Sequence, residues 1–478
     1  MRRSWMTLLA LAALGGCASL SEPEPAGAVL SDTTVLSAAW TDRLQREAAR
    51  FGPQTTATVW AGFDDADLEA LVRAAVSQTP DIRAAQARIA QARAARALVA
   101  ANGRPTVSTS GSATRERMSQ AIQPSIPGGE GFEMDPESNA FSLGGSAGWT
   151  PDIWGDIALR IRAADYDVAS AEAAAQTVAL GLEVETARTY VSLRSAQQSL
   201  DVLNQSIALL EENLSLTETL VDSELAPEFD AVQLRAEIAT QRASLAQQES
   251  LIISLGYALS ALTGRAPQDV DTLLRDADGD VPDYRGGVRP GIPSTLLLRR
   301  PDLRQADATL RAARAIEEAE ALNRLPSFSL SGEGGFLSMT LEALISSDAR
   351  RGLISAALDW PVYQGGRLQA LRDQASAAEA LATAEYDGAV LTALRDVEQA
   401  FEAHISAERR LAALANAVAQ RERVVSLAEL QFQNDLTSRF RVIEAQTSLL
   451  TSRLARVEAQ ADAATAVIEI YAALGGDW

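Results

Sequence analysis

The sequence states one long pattern twice, and this duplication is what most constrains its fold. Pro80-Asp81-Ile82-Arg83 returns 221 residues later as Pro301-Asp302-Leu303-Arg304, and Asn102-Gly103-Arg104-Pro105-Thr106 returns at the same distance as Asn323-Arg324-Leu325-Pro326-Ser327. In each copy an Ala-rich helical stretch precedes the motif, and small-residue alternation follows it. A unit of this length is too large for a solenoid repeat. It describes a duplicated half-molecule, each half holding a helix, a strand pair and a pair of very long helices. Two such copies build one pseudo-symmetric body rather than the three domains that 478 residues would otherwise suggest.

The N-terminus carries an address. Arg2 and Arg3 precede an apolar run from Met6 to Leu14, the layout of a secretory signal over residues 1–16. It ends in Leu14-Gly15-Gly16-Cys17, a lipobox-like site, and Cys17 is the only cysteine. The expectation is a lipid-anchored mature chain beginning at Cys17, with Ala18 directing it to the outer membrane by resemblance to other lipoproteins. An acyl anchor holds a protein to a membrane without spanning it. The full sequence has a net charge of −21, and removal of two arginines with the signal leaves −23. Such a chain is no partner for nucleic acid, which is bound through clustered basic charge. No lysine occurs, so all 42 basic residues are arginine.

Residues 17–62 are expected to form an irregular anchored segment that includes Trp40 and Trp60. The first repeat is expected over 63–263. Helical periodicity runs from about Asp64 to Ala101, restarting at Thr79-Pro80, where the hydroxyl would cap and Pro would open the first turn. From Pro105 the period becomes two. Phe141, Leu143, Gly145, Ala147 and Trp149 alternate with Ser142, Gly144, Ser146 and Gly148; Phe328, Leu330, Gly332, Gly334 and Phe336 alternate with Ser329, Ser331, Glu333 and Gly335. Strands are expected at about 105–114 and 140–150, and again at 326–336 and 352–361. Ile354, Ala356, Leu358 and Trp360 form the apolar side of the last. Runs of this length, apolar on one face with aromatics at their ends, suit transmembrane β-barrel strands. A soluble two-faced sheet has the same alternation. Residues 115–139 and 337–351 are expected as external loops.

After each strand pair comes a Pro-free helical stretch, 157–222 and 367–433, followed by a return helix, 228–263 and 439–474. Spacings of three and four, as in Leu394-Val397-Phe401, imply coiled-coil packing. Residues 264–293 are read as a linker element between the halves, 294–474 as the second repeat and 475–478 as a tail. The fold class is therefore mainly α with transmembrane β. Four strands cannot close a barrel, and an open sheet edge is not tolerated in lipid, so copies of the chain must pool their strands.

The residues that carry a family resemblance are Leu298-Arg299-Arg300-Pro301-Asp302-Leu303-Arg304, Gly148-Trp149-Thr150-Pro151-Asp152-Ile153-Trp154-Gly155, Leu358-Asp359-Trp360-Pro361-Val362-Tyr363-Gln364-Gly365-Gly366-Arg367 and Ala473-Leu474-Gly475-Gly476-Asp477-Trp478. Taken in order, they resemble the TolC-like outer-membrane efflux family, within it the lipid-anchored channels of resistance-nodulation-division pumps. The resemblance implies a homotrimer with a twelve-stranded barrel joined to a periplasmic helical tube. Its partners would be a periplasmic adaptor protein, an inner-membrane resistance-nodulation-division transporter and outer-membrane lipid. Relatives usually carry Gly at the helix-hairpin tips, where this chain has Glu224 and Asp435; Asn434 could supply the left-handed residue instead. Acidic residues that narrow the periplasmic end in relatives fall on Arg441 and Glu444.

The candidate gate is Phe229, Asp230, Phe440, Arg441 and Glu444, with ordinary hairpin packing as the alternative reading of the same residues. In a narrow oligomeric pore one charge per chain becomes a ring. Leu225, Ala226, Asp435 and Leu436 are the candidate adaptor-docking tips. Asp152, Arg367, Asp302 and Arg304 are read as structural residues at helix starts. His404 is the only histidine and has no second ligand at a useful spacing, so no metal or catalytic site is expected. With no nucleotide-binding motif and no catalytic set, the chain is expected to need no cofactor and to be no enzyme. The leading function is a passive exit duct for drugs or other small toxic compounds. The alternatives are the duct of a metal-exporting or protein-secreting system, or, from another class, a structural coiled-coil lipoprotein or the adaptor itself.

Overall fold

A computed structural model describes residues 58–77, 79–117, 119, 137–267, 280–286 and 299–476. Cys17, the signal segment, Trp40 and most of 264–293 lie outside the described residues. A single 3-10 turn, Trp60–Phe63, leads into α1 (Ala66–Ser77) and α2 (Pro80–Ala101), then β1 (Thr106–Arg117) and β2 (Glu137–Trp149). The long α3 (Asp156–Asp222) and α4 (Glu228–Leu262) complete the first half. The second half repeats the order as α5 (Pro301–Leu322), β3 (Ser327–Ser338), β4 (Arg350–Asp359), α6 (Arg367–Gln433) and α7 (Arg439–Ala473). The helices match in length between halves, 22 with 22, 67 with 67 and 35 with 35 residues. At 1.5 Å per residue each 67-residue helix reaches about 100 Å.

The restart expected at Thr79-Pro80 is present, with Thr79 extended at φ −63°, ψ 155° between α1 and α2, but the expected cap and three other boundaries differ. The Thr79 hydroxyl does not cap α2; it donates back to the carbonyl of Ala75 at 3.0 Å, satisfying the last turn of α1. β1 and β2 continue past the alternation into Arg117 and back to Glu137, since ladder pairing needs no apolar side chain, and the intervening loop shortens accordingly. β4 begins at Arg350, after a 3-10 turn at Ser347–Ala349 in which the Ser346 side chain accepts from the Ala349 amide. Trp60 falls in that first short turn, not in irregular chain, and packs edge-on against Tyr471 with ring centroids 4.7 Å apart.

The strands form one antiparallel sheet in the order β1-β2-β3-β4. The two half-molecules join at its centre, where Gly144 and Gly145 of β2 stand opposite Gly335 and Gly334 of β3. The register puts Val107, Ala147, Gly332 and Ile354 in one row of the apolar face, and Ser108, Ser146, Glu333 and Leu353 in a row of the other. On the second face Ser108 bonds Ser146, and Ser112 bonds Ser142, each at 2.8 Å. No described helix is long and apolar enough to cross a membrane.

The main core lies where α1, α3, α4, α6 and α7 come together. Leu68, Val191, Leu259, Phe401 and Ile468 are among its buried side chains. Ala at many helix positions lets the backbones approach closely, so a slender bundle buries its seams. At the waist Tyr284 of the 280–286 segment packs on Phe63 at 5.0 Å, tying part of the inter-repeat connection to the bundle.

Candidate functional site: the two ends of the helical body

At the sheet end, each strand turns into its helix through an elbow pinned by tryptophan. Trp149 Nε1 donates to the Gly103 carbonyl at 3.1 Å, and its repeat counterpart Trp360 donates to the Arg324 carbonyl at 3.2 Å. Trp154 donates to the Pro326 carbonyl at 2.7 Å, lacing the first elbow to the second half. An indole with an apolar body and a bonded N–H belongs where one side is apolar and the other wet. Gly155 and Gly366 open α3 and α6 at φ 86° and 88°, a conformation that favours glycine. Asp152 accepts from the amides of Gly155 at 3.0 Å and Ala158 at 2.9 Å, so it caps α3. Arg367 reaches Gln364, Asp302 accepts from the Leu303 amide and from Arg300, and Arg304 donates to Gln176. All four are structural contacts.

At the far end each hairpin closes by the same device. Leu225 donates to the Leu220 carbonyl and Glu224 to Val221; Leu436 donates to the Gln431 carbonyl and Asp435 to Phe432. These bonds define the Schellman helix stop, which requires a left-handed residue just past the cap. Glu224 and Asp435 supply it at φ 60° and 56°. Asn434 does not, contrary to expectation. It sits one position early, at φ −101°, and its side chain donates to the Leu430 carbonyl. The Schellman pattern fixes the left-handed residue by position, which overrides the better intrinsic tolerance of Asn.

The candidate gate residues surround these stops. Phe229 is 71% exposed and Phe440 38%. On α7, Phe440, Arg441 and Glu444 share the side turned away from buried Val442, Ile443 and Ala445. Arg441 pairs with Glu444 within the chain at 3.2 Å, both side chains largely exposed, a contact worth at most about 1 kcal/mol. Asp230, near the start of α4, is half-buried and forms no ion pair among the described residues. Leu225, Asp435 and Leu436 are exposed and Ala226 is half-buried. Phe229 and Phe440 thus lie on different hairpins of one chain, and only Phe440 shares a helix side with Arg441 and Glu444.

Sequence reasoning missed a tie at this end. Arg439 donates to Asn213 Oδ1 with two nitrogens, at 3.2 and 3.1 Å, and stacks over Phe432. It links the start of α7 to α3 of the other half, beside a small core of Leu210, Leu234, Ile238 and Ile443. Its repeat counterpart is Glu228, and this charge reversal was the available signal. A second missed cluster lies at the waist, where buried Arg194 donates to the hydroxyl of buried Tyr190 and pairs with Asp67. Tyr190 donates to Asp65, and burial together with that carboxylate pushes the phenol pKa up. His404 is buried between helices and lines a groove of about 740 Å³ with Tyr284, Arg456 and Gln460. Burial lowers its pKa to about 4. Among the described residues no group of His, Cys, Asp and Glu could hold a metal ion.

The longest helices reach about 100 Å, and the body ends in a small sheet with one apolar face. The chain belongs to the family described as outer membrane efflux protein, which it matches over residues 71–265 and 292–476. It is 26% identical over 429 residues to the pyoverdine export outer membrane protein OpmQ of Pseudomonas aeruginosa, covering 88% of this chain and 87% of that one. It is 26% identical over 483 residues to the solvent efflux pump outer membrane protein SrpC of Pseudomonas putida, covering 100% and 99%. The solved structure of the outer-membrane channel OprN superposes with a TM-score of 0.82 at 27% identity, over 90% of this chain and 96% of that one. The protein is an outer-membrane efflux channel of a Gram-negative bacterium, with the duplicated helical-barrel fold.

Proposed function

We propose that three copies of this chain form the exit duct of a tripartite pump. They pool their sheets into a twelve-stranded barrel and their helices into a periplasmic tube. The observation that carries this is the four-stranded sheet whose two outer strands, β1 and β4, each present an edge unpaired among the described residues. Unpaired backbone in hydrocarbon costs several kcal/mol per group, and pairing β4 of one copy with β1 of the next removes every edge. The apolar row faces lipid and the serine row faces water. The tips, with Leu225, Ala226, Asp435 and Leu436 in the two hairpin stops, dock a periplasmic adaptor, and a resistance-nodulation-division transporter supplies the energy. The duct binds no cofactor and does no chemistry. It passes what the pump delivers, as the differing cargoes named for OpmQ and SrpC suggest. Cys17 carries the lipid anchor, and intact mass of the mature protein is expected to show an acylated N-terminus at that residue; an unmodified terminus would remove the anchor from this reading.

The gate lies at the tips. Phe440 forms the plug and Glu444 the acidic ring, with Arg441 bonded to Glu444 limiting the charge of that ring, and Phe229 and Asp230 flank them from the other hairpin. Three carboxylates converging on an axis attract cations. Single-channel recording in planar bilayers tests it. Phe440→Ala combined with Glu444→Ala is expected to raise conductance several-fold and weaken cation preference. Wild-type currents from that double variant would place the constriction elsewhere. A purified protein that stays monomeric in detergent would overturn the trimeric barrel itself.

A further inference from the structure

Charge is sorted between the two faces of the sheet. The register places Arg115, Arg117, Glu137 and Arg350 on the face of Phe141, Leu143, Phe336 and Ile354. Below them, that face carries no other charge within the four strands. Three arginines therefore stand against one carboxylate, and all lie at the hairpin-loop end of their strands. The serine face holds the opposite balance, Glu116, Glu333 and Asp359 against Arg351. Arg115 pairs with Glu137, and Arg117 lies 3.6 Å from the same carboxylate, with about three quarters of each arginine side chain exposed. Arg350 forms no ion pair among the described residues.

Height on the sheet decides what these arginines meet. Trp149 and Phe141 mark the two aromatic ends of β2, eight residues or roughly 26 Å apart along the strand. Arg115 stands across from Asn139, one pleat beyond Phe141 toward the loop end, and Arg117 stands two pleats beyond. An outward arginine just past the aromatic girdle sits at headgroup level, and Arg350, opposite Phe336, has the length to reach it. Position along the sheet decides what they can do together. Arg115 and Arg117 belong to one edge strand and Arg350 to the other. When β4 of one copy pairs with β1 of the next, the three arginines stand on the two strands of each seam, and Glu137 can neutralise only one of them. Guanidinium forks match phosphate oxygens bidentately.

We propose that each seam of the barrel binds the phosphates of an outer-leaflet lipid, held by Arg115 and Arg117 of one copy and Arg350 of the next. The acyl chains lie along Phe141, Leu143 and Phe336. This rests on the trimeric barrel proposed above.

The test is native mass spectrometry of the purified oligomer in a non-ionic detergent, titrated with diphosphorylated lipid A and with its dephosphorylated form. The wild type is expected to bind the phosphorylated lipid at least tenfold more tightly. Arg115→Gln with Arg117→Gln and Arg350→Gln is expected to lose about tenfold in that affinity. Arg351→Gln, the next residue along but on the serine face, is expected to bind as the wild type does. The inference is overturned by a triple variant that remains trimeric yet retains the lipid, by equal binding of the dephosphorylated form, or by displacement with inorganic phosphate at matched phosphate concentration. A monomeric wild type would instead bring down the barrel on which the seam depends.

Discussion

The first and second halves of this chain share a backbone and differ in what their side chains do. Helix lengths, tryptophan-pinned elbows, left-handed helix starts and Schellman stops all recur. Side chains part company at three levels. At the elbow, Asp152 caps α3, whereas Tyr363 takes its place before α6. At the waist, Tyr190, Leu193 and Arg194 of α3 are answered by Phe401, His404 and Ile405 of α6. At the tip, Glu228, Asp230 and Gln233 are answered by Arg439, Arg441 and Glu444. The lesson is a division of labour. Repeated positions build the tube, and positions where the copies differ decide how the second hairpin is tied to the first and what it presents at the tip.

The sharpest way to break the comparison is in the sheet, where the halves meet. A Cβ at Gly335 would lie 2.4 Å from the Leu143 carbonyl oxygen and 2.6 Å from Gly144 Cα, both backbone atoms of the neighbouring strand. At Gly334 a Cβ would meet nothing within 4 Å. The repeat counterpart of Gly335 is Thr114, which sits on the outer strand and already bears a side chain. Gly335→Val should abolish the detergent-stable oligomer, since overpacking by even a methyl or two costs about 1–3 kcal/mol where atoms cannot move. Gly334→Ala should leave it intact. Equal behaviour of the two variants on denaturing gels without heating would show that the central strands are not so tightly joined.

Much of this is legible in the amino-acid sequence. The duplication, the two periods and the Pro-free runs identify the helices and strands, because each rests on a backbone rule that repeats along the chain. Strand ends were less legible, since Arg115 to Arg117 and Glu137 pair by backbone with no apolar signal. The tip stops were readable as positions but not as conformations. Asn434 looked the better left-handed residue from propensity alone, while the hydrogen-bond pattern of the stop selects Asp435. Arg439 to Asn213 and the Asp65, Tyr190, Arg194 cluster join residues more than a hundred positions apart, and nothing local marks them. Only the mismatch between copies points to them.

A second effect should appear at the waist, where His404 replaces the Leu193 of the first half. Its pKa is lowered by burial, from 6.5 to about 4, so the folded chain holds the ring neutral where an unfolded chain would protonate it. The unfolded state then binds more protons between pH 6.5 and 4. Stability contributed by the neutral ring is present above pH 6.5 and is lost as pH falls toward 4. The ring lines a groove open to water, so the loss should be on the order of 2 kcal/mol rather than the full linkage value. His404→Leu, which restores the residue of the first half, should flatten this part of the stability curve relative to the wild type in denaturant titrations. Parallel curves for the two proteins would mean that the waist histidine is solvated in the working assembly.

The smallest effect is expected at the tips, and there the halves can be ranked. Both stops force a side-chain-bearing residue into the left-handed region, which costs roughly 1–2 kcal/mol for L-residues in general. Asp tolerates it better than Glu because its short side chain can bond locally. Glycine removes the strain but gives back about 0.5–1 kcal/mol in unfolded-chain entropy. Glu224→Gly should therefore stabilise its stop by up to about 1 kcal/mol, and Asp435→Gly by less. Asn434→Gly, at φ −101°, has no strain to relieve and should weaken the second stop. Hydrogen exchange at the Leu225 and Leu436 amides reads each stop directly, because these donors close the turns onto Leu220 and Gln431. Protection should rise a few-fold at Leu225 in Glu224→Gly, rise less at Leu436 in Asp435→Gly, and fall at Leu436 in Asn434→Gly. If Asn434→Gly raised protection at Leu436 more than Asp435→Gly did, the left-handed residue of the second tip would be Asn434 in solution, and the two halves would end their long helices differently.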